Sequence, residues 1–63
     1  MTKYKVLKDF QWGNFYLLKG KTIAIEDQGN GLSIVSLDNS DMTQIVGTKA
    51  VEGMLLLKKI ARQ

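Results

Sequence analysis

The strongest local constraint in this chain is Asn30-Gly31, a pair that tolerates the positive φ of a tight hairpin turn and lies between two runs of strand-forming residues. Thr22-Ile23-Ala24-Ile25-Glu26 reads as a strand with Ile23 and Ile25 on one side. A hairpin pairing residues 22–27 with residues 32–37 is therefore expected. In its second arm Leu32 and Ile34 share one parity while Val35 and Leu37 take the other. This predicts that the buried face switches between Ile34 and Val35, as a bulge or a barrel corner would arrange. The alternative, a strand covered on both faces, needs more protein than 63 residues readily supply.

A period of two also governs the N-terminal segment. Tyr4, Val6, Phe10 and Trp12 are apolar, whereas Lys3, Lys5, Asp9 and Gln11 are polar, and Leu7 and Lys8 interrupt the alternation. Gly13-Asn14 offers a turn, Phe15-Tyr16-Leu17-Leu18 resumes the apolar run, and Lys19-Gly20-Lys21 ends it. Beyond the turn-forming Asp38-Asn39-Ser40-Asp41, three arrangements stay open. One has a strand over residues 42–46 and a helix capped by Thr48, with Ala50, Met54, Leu57, Ile60 and Ala61 as its apolar stripe. Another has a helix over residues 41–52, ended by Gly53, and a final strand over residues 54–60. The third has a strand, a single helical turn near residues 49–53, and a closing strand. The β-branched Thr43, Ile45, Val46, Thr48 and Val51 speak against the middle helix.

Composition narrows the function. A chain of 63 residues buries only about 60% of its unfolded surface, so it supports one small domain spanning residues 1–63. It has no cysteine and no histidine, hence no thiolate nucleophile, no disulfide framework, and neither the commonest general base nor the commonest zinc ligand. Ser33, Ser36 and Ser40 have no histidine to activate them, and Glu26-Asp27 are neighbours on a hairpin shoulder rather than carboxylates held across a substrate. Gly29-Asn30-Gly31 is not followed by the Gly-Lys-Ser/Thr of a phosphate loop, and residues 38–41 lack the glycine and glutamate of a calcium loop. The expectation is a non-enzymatic protein without cofactor, metal or small-molecule substrate. No apolar stretch is long enough to span a bilayer and the N-terminus has no hydrophobic leader, so a cytoplasmic setting is expected.

The formal charge of +3 conceals a segmented pattern. Lys3, Lys5, Lys8, Lys19 and Lys21 face only Asp9 in the first third. The middle third carries Glu26, Asp27, Asp38 and Asp41 with no cation, and the last third carries Lys49, Lys58, Lys59 and Arg62 against Glu52. If the two ends of the chain lie side by side, their cations form a basic pole, and the segments at 26–30 and 38–41 form an acidic one. Such a dipole suits phosphate binding or head-to-tail association, while lysine on outer strands also serves simply to prevent edge pairing. Trp12, Phe15 and Tyr16 lie close in sequence to Lys19 and Lys21, the ingredients of a stacking platform for single-stranded nucleic acid. Most of these rings are also needed for the core. Phe15 and Tyr16 must point to opposite faces, which leaves Tyr16 as the exposed ring, with Trp12 at the loop as a second.

Lys3-Tyr4-Lys5-Val6-Leu7-Lys8-Asp9-Phe10, followed by Lys19-Gly20-Lys21-Thr22-Ile23-Ala24-Ile25, resembles the start of many short phage and prophage proteins with small SH3-like barrels. The likeness covers roughly the first 27 residues and implies a barrel fold; many such proteins have no assigned activity, and others join larger phage particles or bind host factors, in the host cytoplasm or the virion. The size and β-rich layout also resemble small archaeal chromatin barrels, which are far richer in lysine.

The expected fold is mainly β: a small SH3-like barrel or half-barrel of four or five strands, with a helical segment near the C-terminus. The expected function is a protein-interaction or assembly module, with a protein partner or self-association. The alternative is nucleic-acid binding through a basic pole and an exposed aromatic ring. The candidate contact residues for either are Lys3, Lys5, Trp12, Tyr16, Lys19, Lys21, Lys58 and Lys59.

Overall fold

The computed structural model describes residues 2–38 and 40–63. Among these residues seven strands and one helix follow in the order β1 (Thr2–Val6), β2 (Phe10–Trp12), β3 (Phe15–Leu17), β4 (Thr22–Asp27), β5 (Leu32–Leu37), β6 (Thr43–Gly47), α1 (Thr48–Leu56) and β7 (Ile60–Arg62). Five strands form one antiparallel sheet in the order β6-β5-β4-β1-β7, and β2 and β3 form a separate two-stranded hairpin. The fold is mainly β with a helical segment in its C-terminal half, as expected. The sheet is open and not a closed barrel, because β6 and β7 end the order without pairing to each other.

The two-residue alternation of β1 to β3 does what the pattern requires. Tyr4, Val6, Phe10, Trp12, Phe15 and Leu17 are all buried, while Lys3, Lys5, Gln11 and Tyr16 are exposed. The hairpin lays its apolar face on the sheet, where its rings join Ile23, Ile25, Val35, Val51 and Ile60 in one core. Four of the eleven residues in this core are aromatic, and burying one large side chain is worth about 1.5–3 kcal/mol. The tip of the hairpin is fastened by a side chain rather than a ladder. Gln44 Nε2 on β6 donates to the Trp12 carbonyl at 2.6 Å, and Gln44 Oε1 accepts from the Asn14 N–H at 2.9 Å.

The hairpin of β4 and β5 has the expected bounds but a different turn. Gln28 N–H donates to the Leu32 carbonyl, and the positive φ values fall on Gly29 and Gly31 rather than on Asn30. Asn30 instead accepts from the Leu32 N–H through its Oδ1 at 3.3 Å, and Asp27 Oδ1 accepts from the Gly29 N–H at 2.7 Å. With glycines on both sides, the asparagine is free of the left-handed conformation.

The expected switch of buried face in β5 does not occur. Register runs unbroken from Leu32 to Ser36 against β6 and from Ser33 to Leu37 against β4. Ser33, Val35 and Leu37 therefore face the core together, while Leu32 and Ile34 stay on the opposite face. The core-facing place opposite Leu32 and Ile34 belongs to a serine. Ser33 is 1% exposed and keeps its hydroxyl satisfied by Thr48 Oγ1 at 2.8 Å.

Of the three C-terminal arrangements, the third is closest, with a helix of nine residues instead of a single turn. Gly47 rather than Thr48 is the N-cap, and the Thr48 hydroxyl is occupied by Ser33. Val51 is buried and Met54 and Leu55 pack against the core, whereas Ala50 and Leu57 are exposed. The helix ends when Lys58 turns left-handed at φ 57°, its N–H bonding to the Leu55 carbonyl and that of Lys59 to the Met54 carbonyl. This reversal sends residues 60–62 back along β1, with Val6 opposite Ile60 and Tyr4 opposite Arg62. Among the described residues, no helix is long and apolar enough to cross a membrane.

Candidate interaction surfaces

Strand β1 is the meeting place of the basic segments. Val6 N–H donates to the Lys21 carbonyl, Gly20 N–H donates to the Val6 carbonyl, and Leu7 N–H donates to the Lys59 carbonyl. The Lys19–Lys21 turn and the Lys58–Lys59 corner therefore flank the same end of β1, next to Lys5 and Lys8. Cations from the two extremities of the chain do converge, because β1 lies between β4 and β7.

The single acidic pole does not form. Consecutive connections of an antiparallel meander lie at opposite ends of the sheet, so Glu26 and Asp27 cannot share a rim with Asp38 and Asp41; Asn39, within the expected 38–41 turn, lies outside the described residues. Glu26 and Asp27 lie away from the lysine corner, whereas Asp38 is brought to it by the bond from its N–H to the Thr22 carbonyl. Lys3 Nζ reaches across β4 and donates to Asp38 Oδ1 at 3.2 Å. At this exposed site the ion pair is worth about 1 kcal/mol or less.

The candidate residues divide accordingly. Lys5, Lys19 and Lys21 are exposed around the end of β1, and Lys58 is exposed beside them. Lys59 is half-buried, with Nζ 5.2 Å from the centre of the Phe10 ring, so its charge caps the hairpin. Lys3 is held by Asp38. Tyr16 is 66% exposed, on the outer face of the hairpin opposite Gln11. Trp12 is only 6% exposed and stands 6.2 Å from Phe10, centre to centre. It is a core residue and not a stacking surface, because the even positions that bury Phe10 bury it too. A groove of about 440 Å³ runs beside Tyr16, lined also by Leu18, Lys21, Leu37 and Asp38. The carboxylate in its wall makes it a mixed-charge groove, less suited to a polyanion than the lysines alone would suggest.

The uncovered face of the five-stranded sheet forms a second surface. Directly opposed residues share a face, which gives one row Lys3–Ala24–Ser36–Thr43 and another Glu26–Ile34–Ile45. Ile45 is 68% and Leu32 43% exposed, and Ile34 is half-buried between them. These apolar side chains lie over β5 and β6, away from the lysines of β1. The parity of Leu32 and Ile34 against Val35 and Leu37 was the signal that marks them: a strand with apolar residues on both parities has an apolar outer face.

No protein-family model, curated protein or solved structure matches this chain.

Proposed function

We propose that this chain is a non-enzymatic protein-interaction or assembly module that works through the open side of its sheet, over β5 and β6. The observation that supports this reading is the apolar patch of exposed Leu32 and Ile45 around half-buried Ile34, with Ile34 directly opposite Ile45, on a sheet face that no other element of the described residues covers. Exposed β-branched residues in register across two strands make an ordered apolar surface, and ordered apolar surface is what protein partners bury. A role as an accessory component of a phage-like assembly rests on the resemblance of the first 27 residues. Retention of a protein partner that survives nuclease treatment tests the reading. Substituting Leu32→Ser, Ile34→Thr and Ile45→Thr together should abolish that retention while leaving far-ultraviolet circular dichroism unchanged. Retention unaffected by the triple change would refute it.

A second reading, nucleic-acid binding, is favoured by Lys5, Lys8, Lys19, Lys21 and Lys58 around one end of β1, with Tyr16 exposed on the adjoining hairpin. It requires binding to single-stranded oligonucleotide that falls by orders of magnitude from low to moderate salt. Lys19→Glu with Lys21→Glu should remove it.

A further inference from the structure

We infer that the partner of the open side is a second copy of this chain, joined through β6 to β6 in antiparallel register about a two-fold axis at Ile45. The inference rests on the interaction reading above and names its partner.

Strand β6 is hydrogen-bonded to β5 and ends the sheet on its other side. Hairpin β2–β3 reaches it through the Gln44 side chain, on the core face, and among the described residues no backbone group pairs with its outer edge. Edge strands are usually blunted by charge, proline or shortness. The opposite edge is: β7 has three residues, includes Arg62, and follows Lys58 and Lys59. β6 has five residues, and residues 42–48 contain no charged residue, while Thr43, Ile45, Val46 and Thr48 are β-branched. Such a segment readily accepts another strand.

Its ends choose the partner. Antiparallel pairing centred on Ile45 sets Ile45 opposite Ile45 of the second copy, Thr43 opposite Gly47, and Gln44 opposite Val46. Beyond the paired strands, Asp41 lies before β6 and Lys49 at the start of the helix that follows it, so antiparallel pairing brings the acidic end of each β6 to the basic end of the other. Both of these side chains are exposed. A parallel alignment would instead set Asp41 against Asp41. The outer faces of the two sheets become continuous, so the apolar row extends as Ile34–Ile45–Ile45–Ile34. The surface is self-complementary in charge and in strand register, as a closed two-fold interface requires.

The chain contains no cysteine, so cysteines can report the register. Directly opposed residues have Cα atoms about 4.5–5.5 Å apart, within the range of about 4.4–6.8 Å that a disulfide needs. A cysteine at position 45 meets its own equivalent, whereas one at position 43 lies about 13 Å from its equivalent at the rise of a strand. Under mild oxidation Ile45→Cys should form a covalent dimer and Thr43→Cys should not. Sedimentation of the unaltered chain should show its mass rising with concentration from 7.1 kDa toward twice that value. Ile45→Lys should hold it at 7.1 kDa with unchanged circular dichroism. A mass that stays monomeric at the highest soluble concentration overturns the inference, as do equal cross-linking of the two cysteine variants and cross-linking of neither. A monomer that still retains a protein partner through Leu32, Ile34 and Ile45 overturns self-pairing and leaves the interaction reading standing. A monomer that retains nothing overturns both.

Discussion

Gly13 lies so close beneath the side-chain amide of Gln44 that a Cβ at position 13 would collide with Gln44 Oε1. Its φ of +60° would strain any side chain there as well. Gly13→Ala should therefore cost between about 1 and 3 kcal/mol, from backbone strain and from the displaced bonds to Trp12 and Asn14. Urea unfolding at constant m-value measures it. In a Gln44→Ala background the collision is gone, so the same change at position 13 should cost less. A fully additive pair would show that the two residues are not coupled.

The hydroxyl pair Ser33–Thr48 ties β5 to the start of the helix at 2.8 Å. Thr48→Val leaves the Ser33 hydroxyl buried without its partner and should destabilise by about 1–3 kcal/mol. Ser33→Ala, which leaves the less buried hydroxyl of Thr48, should cost less. The double variant should cost clearly less than the two single costs combined, because no orphaned group remains.

Lys58 holds a left-handed conformation that usually belongs to glycine. Lys58→Gly should stabilise the protein by about 1 kcal/mol, the relief of left-handed strain offset in part by a freer unfolded chain. The same substitution removes a cation from the lysine corner. Nucleic-acid affinity that falls as stability rises would place that lysine in contact with phosphate.

Because Trp12 is enclosed, its fluorescence should be blue-shifted and resistant to acrylamide, and single-stranded oligonucleotide should leave it unchanged. A ring that reports stacking has to be Tyr16. Tyr16→Ala should leave the unfolding free energy within about 0.5 kcal/mol of the parent, as exposed substitutions do, while weakening any oligonucleotide binding measured by mobility shift.

Much of the fold was legible because period-two patterning works where one face is dry: Tyr4, Val6, Phe10, Trp12, Phe15 and Leu17 all follow it. The same pattern points the wrong way at β5, because apolar does not mean buried on a strand with one open face. Leu32 and Ile34 looked like evidence for a bent strand, yet they sit on a flat register and face outward. Gly13 places a loop beside Trp12, yet the parity of Trp12 places it with Phe10 in the core. The lysine corner could be anticipated from segment charges, since it needs only that the chain ends meet. The divided acidic residues could not be read from composition, since their placement depends on which end of the sheet each connection occupies. The reversal at Lys58 had no local signal, because a lysine there does not announce a left-handed turn.

The juxtaposition of Tyr4 with Arg62 encloses nearly the whole polypeptide between two neighbouring strands. Closing so wide a loop must be achieved before β1 gains its second neighbour, and sequence-distant pairing of this kind slows folding into the millisecond-to-second range. Removing residues 60–62 would strip one flank of β1 and uncover Val6, so those three residues should act on the stability of the entire sheet rather than on a fraying tail.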